Sequence, residues 1–300
     1  MSRYILRRLL YSIFVLAGLT TVVFVVTHLI GDPARLMLPL EATEEQYQAL
    51  RLKLGLDDPL YVQFAHFALQ VARGDLGISL WQGVPAMPLV LSRFPATLYL
   101  AFCVIALSLL VAVPLGALAA IRPRSAADRI TTILSFTGIS IPTFWLALML
   151  ILIFAVQLRW FKTSGYGGFE YIALPVLAVS APITGRMAQL VRSSMFDEIC
   201  KAYVTTARSK GLAENIIIFR HILRNAAIPI VTLAGDEIAH LVNGTVVIEV
   251  IFGWPGIGQL ALTAIERRDF PVIQADVLLV ASAVVIINLV VDIIYAYLSK

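Results

Sequence analysis

"TLYLAFCVIALSLLVAVPLGALAAI", residues 97 to 121, contains no Asp, Glu, Lys or Arg at any position. An α-helix rises about 1.5 Å per residue, so about 20 mostly apolar residues cross the ~30 Å hydrocarbon core of a bilayer. This stretch is long enough. Outward from it, further uncharged or nearly uncharged runs lie at Leu9–Ile30, Ile130–Leu158, Tyr171–Gly185 (continuing past Arg186), Ala226–Val250 and Val277–Leu298. They predict an all-α integral membrane protein with six transmembrane helices. The composition agrees: 59% of the 300 residues are apolar and 14% charged, against roughly 45–50% and about 25% in soluble domains.

Arg3, Arg7 and Arg8 before the first run resemble the start of a secretory signal. Its apolar part exceeds the roughly 7–15 residues of a signal core, so it reads as a retained span. Cys103 and Cys200 are far apart in sequence and suggest neither a disulfide framework nor a CxxC metal site. With a cytoplasmic N-terminus, the inner segments hold 14 of the 23 Lys and Arg residues, Arg186 and Arg192 among them, which predicts that both termini are cytoplasmic. The net charge of +4 follows from this bias and implies no nucleic-acid partner.

Three parts follow along the chain. Residues 1–30 are a cytoplasmic segment and the first span, 31–96 a small extracytoplasmic helical region, and 97–300 the core with a cytoplasmic loop at 193–226. In the second part Thr43 and Gln46 fit a capping box and Gly55 closes that helix. A second helix starts at Asp58-Pro59 and stops at Gly74, and Pro85, Pro88 and Pro95 predict a non-helical return to the bilayer. Between the last two spans, Gly253, Trp254, Pro255 and Gly256 interrupt the helix before an amphipathic turn at Leu260–Ile265. Irregular backbone at membrane depth needs protein or a water-filled cavity beside it, so these four residues are candidates for an outer gate lining the translocation path.

The charged stretch "YVTTARSKGLAENIIIFRHILRNAAIP", residues 203 to 229, is out of place in so apolar a chain. A helix over Asp197–Arg208, a C-cap at Gly211 and a second helix over Asn215–Asn225 would form an elbow with the apolar strip Ile216, Phe219, Ile222 and Leu223. Two to eight residues suffice to join helices, so about thirty suggest a docking surface for a soluble partner. A basic face on anionic headgroups would explain the arginines, but not the glycine or the apolar strip.

No GxxxxGK[ST] phosphate loop occurs, nor any Gly-Lys pair, so this chain lacks that route to ATP hydrolysis. HExxH and GxSxG are absent too, and Asp236 in "LAGDE" lacks the upstream glycine of an intramembrane aspartyl protease. The chain reads as a transport subunit and not an enzyme.

"YVTTARSKGL" with "RHILRNAAIPIVT" closely resembles the cytoplasmic loop of permease subunits of ATP-binding cassette (ABC) importers, in the dipeptide, oligopeptide and nickel branch. "GDPARLMLP", "LGLDDPLYVQF", "GDLGIS", "SIPTFWLALMLIL" and "VIEVIFGWPGIGQL" agree in the same order, so the resemblance covers nearly the whole chain. It implies the type I importer permease fold, with Thr205, Thr206, Ala207, Arg208, Ser209, Lys210 and Gly211 as the elbow that couples to an ATPase. It also implies a second homologous permease chain, two ATPase chains that bind ATP and Mg, and an extracytoplasmic binding protein. No cofactor or metal is expected on this chain. Thr205-Thr206-Ala207 stands where the general importer pattern has Glu-Ala-Ala, and the Pro-Arg-rich tail of the family is missing after Lys300.

Asp236, Glu237 and His240 fall within about one turn of span five, and helix neighbours at that spacing share a face. Charge inside a membrane is costly and usually borders a polar cavity, so the three are candidates for the translocation path. A metal relay, recognition of a peptide amino terminus, and pairing with Arg267 or Arg268 all remain open. Glu249 reads as structural. The favoured function is ATP-driven import of short peptides across the bacterial inner membrane, with nickel or a metal chelate as the alternative substrate. Rival classes are a stand-alone secondary transporter, for which an internal repeat is wanting, and a receptor or assembly scaffold.

Overall fold

The computed structural model describes residues 2–30, 34, 43–53 and 55–298. The "GDPARLMLP" motif, apart from Ala34, and the chain end at Lys300 lie outside the described residues. Among them the chain is helical, and its residues form two compact units: 1–96 with 255–286, and 97–254 with 287–300.

In the first unit, α1 (Ser2–Ile30) is followed by α2 (Glu44–Lys53) and α3 (Leu60–Arg73). The capping box forms as read: the Thr43 amide donates to Gln46 Oε1 at 3.1 Å, and the Gln46 amide to Thr43 Oγ1 at 3.4 Å. Gly74, at φ 71°, closes α3 in the left-handed region that glycine enters without a Cβ penalty. Phe24 of α1 meets Phe64 and Phe67 of α3 with ring centroids 5.4 and 5.8 Å apart. His28 hydrogen-bonds Gln63 Oε1 at 3.0 Å, and Gln274 donates to Thr27 at 2.9 Å.

The proline-rich return is helical instead. α4 (Ala86–Ile121) starts right after Pro85 and carries Pro88 and Pro95. Pro88 lies in the first turn, where a missing N–H breaks no intrahelical bond, and Pro95 removes only one bond from a 36-residue helix.

In the second unit the expected span Ile130–Leu158 is broken. α5 (Ala126–Ser140) and α6 (Thr143–Gln157) meet at 97°. Ile141 is extended at φ −84°, ψ 124°, because the ring of Pro142 excludes the helical conformation from the residue before it. Residues 151–157 of α6 have π-helical winding. By length and composition five described helices can cross a membrane, or six if the bent pair counts as one span.

α7 (Phe169–Ile199) is the packing centre of this unit. A Cβ on Gly185 of α7 would stand 2.7 Å from the Ser135 carbonyl oxygen of α5, and one on Gly138 of α5 would stand 2.6 Å from that of Ala181. Only glycine lets the two backbones approach so closely, the usual device of helix pairs in membranes. At the α4–α5 turn, Arg192 clamps Asp128 through Nε at 2.6 Å and Nη2 at 3.2 Å, and the Arg124 amide donates to the same carboxylate.

Gly185→Leu is expected to destabilise the protein by about 1–3 kcal/mol or more through overpacking. Gly18→Leu, where a new Cβ meets nothing within 4 Å, is the control. Thermal unfolding of the two purified variants in detergent checks this: equal midpoints would refute the close-packing account.

Candidate functional site

The elbow follows α7. Its last turn ends at Ile199, Lys201 is extended at φ −76°, ψ 149°, and α8 (Ala202–Ser209) then starts. The expected helix over Asp197–Arg208 is therefore two helices with a break at Cys200-Lys201. Gly211, at φ 72°, turns the chain, its amide donating to the Arg208 carbonyl at 2.9 Å. The second arm is not a short helix either: α9 (Glu214–Gly244) runs straight into the fifth span, with π-helical winding over Ile217–Ile222.

Of the seven candidate coupling residues, Thr205, Thr206, Arg208, Ser209, Lys210 and Gly211 are exposed. Ala207 is not. It packs with Val204 into a core made by Ile217, Ile222, Ala226, Val191 and Met195, so its small size fits the elbow's own interior. The apolar strip divides the same way: Ile216 and Phe219 are exposed, while Ile222 is fully buried. Arg208 pairs with Glu214 at 2.7 Å across the turn, which holds its guanidinium above the ordinary range.

A polar knot ties the elbow to both neighbouring spans. Tyr203 donates to Glu198 Oε2 at 2.7 Å, Lys201 to Glu198 Oε1 at 2.6 Å, and Asn225 Nδ2 to the Tyr203 hydroxyl at 3.2 Å. The bond to Glu198 raises the Lys201 ammonium, and burial, helped by the same carboxylate, pushes the Tyr203 phenol up. Sequence reasoning missed this knot. Residues five apart do not share a helical face, and only the break at Cys200-Lys201 brings Tyr203 back onto Glu198.

The three acidic and imidazole candidates of span five do not share a face. Glu237 is 6% exposed and held by Arg186 in a two-pronged pair, Nε to Oε1 at 2.8 Å and Nη2 to Oε2 at 3.0 Å. Its partner is thus a residue of α7, neither Arg267 nor Arg268. Arg186, counted with the inner basic residues above, lies within a membrane-length helix and serves that pair. Asp236 and His240 are exposed on the opposite flank. They belong to a longer stripe: Asn225, Thr232, Asp236, His240 and Asn243 recur at the 3.6-residue period, and all but the half-buried Thr232 are exposed. The stripe's three neutral members, Asn225, Thr232 and Asn243, could have been found by following that period along the whole helix.

After α10 (Val246–Ile251), Gly253 at φ 56° reverses the chain, and the Trp254 amide donates to the Glu249 carbonyl at 2.7 Å. Trp254 is fully buried, edge-on to Tyr166 with centroids 4.8 Å apart and stacked toward Tyr99 at 6.3 Å. The carboxylate of Glu249, also fully buried, accepts from Thr97 at 2.7 Å and Thr245 at 3.1 Å, in keeping with a structural role. Pro255 is half-buried and Gly256 buried, the latter capping α11 (Ile257–Glu266).

Residues 112–300 match the family described as the binding-protein-dependent transport system inner membrane component, and residues 1–101 match the N-terminal part of such membrane components. The chain belongs to this family: it is a multi-pass inner-membrane permease subunit of an ABC importer. It is 40% identical over 300 residues to the glutathione transport system permease protein GsiC of Salmonella typhi and 38% identical to that of Escherichia coli K12, covering all of this chain and 98% of each relative. Among solved structures, the inward-facing MetNI methionine ABC transporter superposes with a TM-score of 0.60 at 19% identity, over 71% of this chain and 98% of the other. An amino acid ABC transporter with histidines gives 0.52 at 17% identity, over 70% and 92%. The fold is that of type I importer permeases.

Ala207→Leu is expected to lower the yield of folded protein, since it overfills the elbow core by about 1–3 kcal/mol. Tyr203→Phe, which only unties the knot, costs about 1 kcal/mol and leaves the yield near normal. Size-exclusion profiles and thermal midpoints of both variants decide this; a normal Ala207→Leu profile would put Ala207 back on the outer surface.

Proposed function

We propose that this chain forms half of the translocation path of an importer for short peptides of about the size of glutathione, with both termini in the cytoplasm. In this reading the bent pair α5–α6 is one crossing, which makes six, and the elbow at Thr205–Gly211 faces an ATPase. A second homologous permease chain completes the path, two ATPase chains supply ATP and Mg, and a solute-binding protein delivers the peptide outside. The chain performs no covalent chemistry and needs no cofactor. Full-length identity to glutathione permeases supports a peptide over nickel.

The polar stripe on α9 is the observation that carries the path. Asn225, Thr232, Asp236, His240 and Asn243 line one side of the stretch 225–244, whose one other charged side chain is Glu237, bound to Arg186, and a carboxylate and an imidazole facing lipid would be costly. Opposite a second permease chain, the stripe borders an aqueous passage. Asp236 is suited to attract a peptide ammonium, and His240 to accept or donate a hydrogen bond one turn away. Glu237, bound to Arg186, holds α9 against α7 and is not part of the lining. The turn at Gly253, Trp254, Pro255 and Gly256 acts as a rigid outer border. Closure of the ATPases pushes on α8, and the Glu198–Tyr203–Asn225 knot passes that movement to α7 and α9 together, a switch between two packings.

In the assembled importer, Asp236→Asn combined with His240→Ala is expected to reduce glutathione or dipeptide uptake at least tenfold with assembly intact. In a background with Cys103 and Cys200 replaced by Ser, Asp236→Cys should react with a water-soluble thiol reagent. Normal uptake by the double variant together with an unreactive position 236 would remove the stripe from the path.

A further inference from the structure

The segment between α3 and α4 folds into a tight hairpin whose apolar side chains are exposed among the described residues. Ile78 bridges Pro85, the Ser79 amide donates to the Val84 carbonyl at 2.8 Å, and the Ala86 amide to that of Gly77 at 2.9 Å. Asp269, 2% exposed, pins the hairpin from below by accepting from the Ser79 hydroxyl and, at 3.3 Å, from the Trp81 amide. So fixed a loop loses little entropy when something binds it. Yet its outward side is apolar: Ile78 is 60% exposed and Trp81 52%, and Leu80 and Val84 are exposed as well. Arg267 lies over the Trp81 ring at 5.4 Å from the centroid. Beside them is a notch of about 120 Å³ lined by Trp81, Gln82, Arg93, Gln259, Leu260 and Thr263.

We propose that this hairpin, with the notch and Arg267, is the docking surface for an acidic edge of the solute-binding protein. The inference rests on the importer reading above, which supplies both the sidedness and the existence of such a partner. Trp and Arg are among the residue types in which the hot spots of protein interfaces are enriched. Around the notch lie Arg93, Arg267 and Arg268 against the exposed Glu266, while the exposed Asp75 sits at the base of the hairpin and the buried Asp269 beneath it, so the surface matching the notch carries Asp or Glu, one of which enters it toward Arg93.

A soluble protein fits this surface better than the bilayer because of its height. With 36 residues α4 is about 54 Å long at about 1.5 Å per residue, more than the ~40–45 Å of a whole membrane, and the hairpin directly precedes its first residue, Ala86.

The test uses the complete importer in lipid nanodiscs, assembled from this chain, its second permease, its ATPases and its solute-binding protein. Trp81→Ala and Arg93→Glu are each expected to weaken binding of the loaded binding protein at least tenfold. Both should assemble normally and hydrolyse ATP at the usual rate in its absence. Affinity for the unaltered complex should fall as salt rises, since charge attraction is screened. A photo-crosslinking amino acid at position 81 should capture the binding protein. Unchanged affinity in both variants, or crosslinks only to lipid or to a permease chain, would overturn the proposal while the importer reading stood. If the binding protein neither bound the unaltered complex nor stimulated its ATPase, the importer reading would fail and this proposal with it.

Discussion

Inside a hydrocarbon layer no water is available to take up a freed amide or carbonyl, so a helix there can stop only where the protein supplies the missing partners. At three described breaks the chain supplies such partners itself, including the one at Gly211 in the elbow between the spans. At Ile141-Pro142 the chain turns by 97°, and the Ile141 amide still reaches the Thr137 carbonyl. At Gly253 the Trp254 amide is returned to Glu249, and the Gly165 amide takes the Phe252 carbonyl. At Gly211 the freed amides go back to Arg208 and Ala207. The breaks are where the chain has something to do besides cross, and they set the positions of the elbow, the bent span and the outer turn.

Charge is handled with the same economy. The pairs Arg186–Glu237 and Arg192–Asp128 both join α7 to another helix through two hydrogen bonds. In both the carboxylate is buried and the arginine about two-fifths exposed, so removing the arginine would leave a buried charge without its partner, which costs more than the intact pair contributes. The pairs therefore act chiefly to define which helices meet and in what register. Glycine performs the complementary task at Gly138 and Gly185, where backbone replaces side chain at the contact. Asp236 and His240 lie exposed on the same helix, whereas Glu237 holds span five against α7.

How much was legible depended on whether a feature is local. The capping box at Thr43 and Gln46 and the glycine stops at Gly55, Gly74 and Gly211 rest on interactions within a few residues, and they stand where local rules put them. The spans were legible because twenty apolar residues have one favourable environment. Pro88 and Pro95 misled, since a proline in a first turn, or one lost bond in a long helix, is tolerated. Pro142 was passed over although its effect on Ile141 is equally local; the apolar run on both sides masked it. Ala207 was placed on the coupling surface by the family resemblance, whereas its direction is decided by Ile217 and Ile222.

By itself the sequence determined that this protein lies in a membrane, where most of its apolar spans run, and the family to which it belongs, because hydropathy, caps and motif order are properties of short stretches. The tertiary structure alone decided that Glu237 turns to Arg186 while Asp236 and His240 stay exposed, that Tyr203 folds back onto Glu198 and reaches Asn225, and that Asp269 holds the hairpin at Ser79 and Trp81 from 190 residues away. Those pairings depend on which helix faces are brought together, and a one-residue rotation of about 100° exchanges a buried partner for an exposed group without changing the local pattern at all.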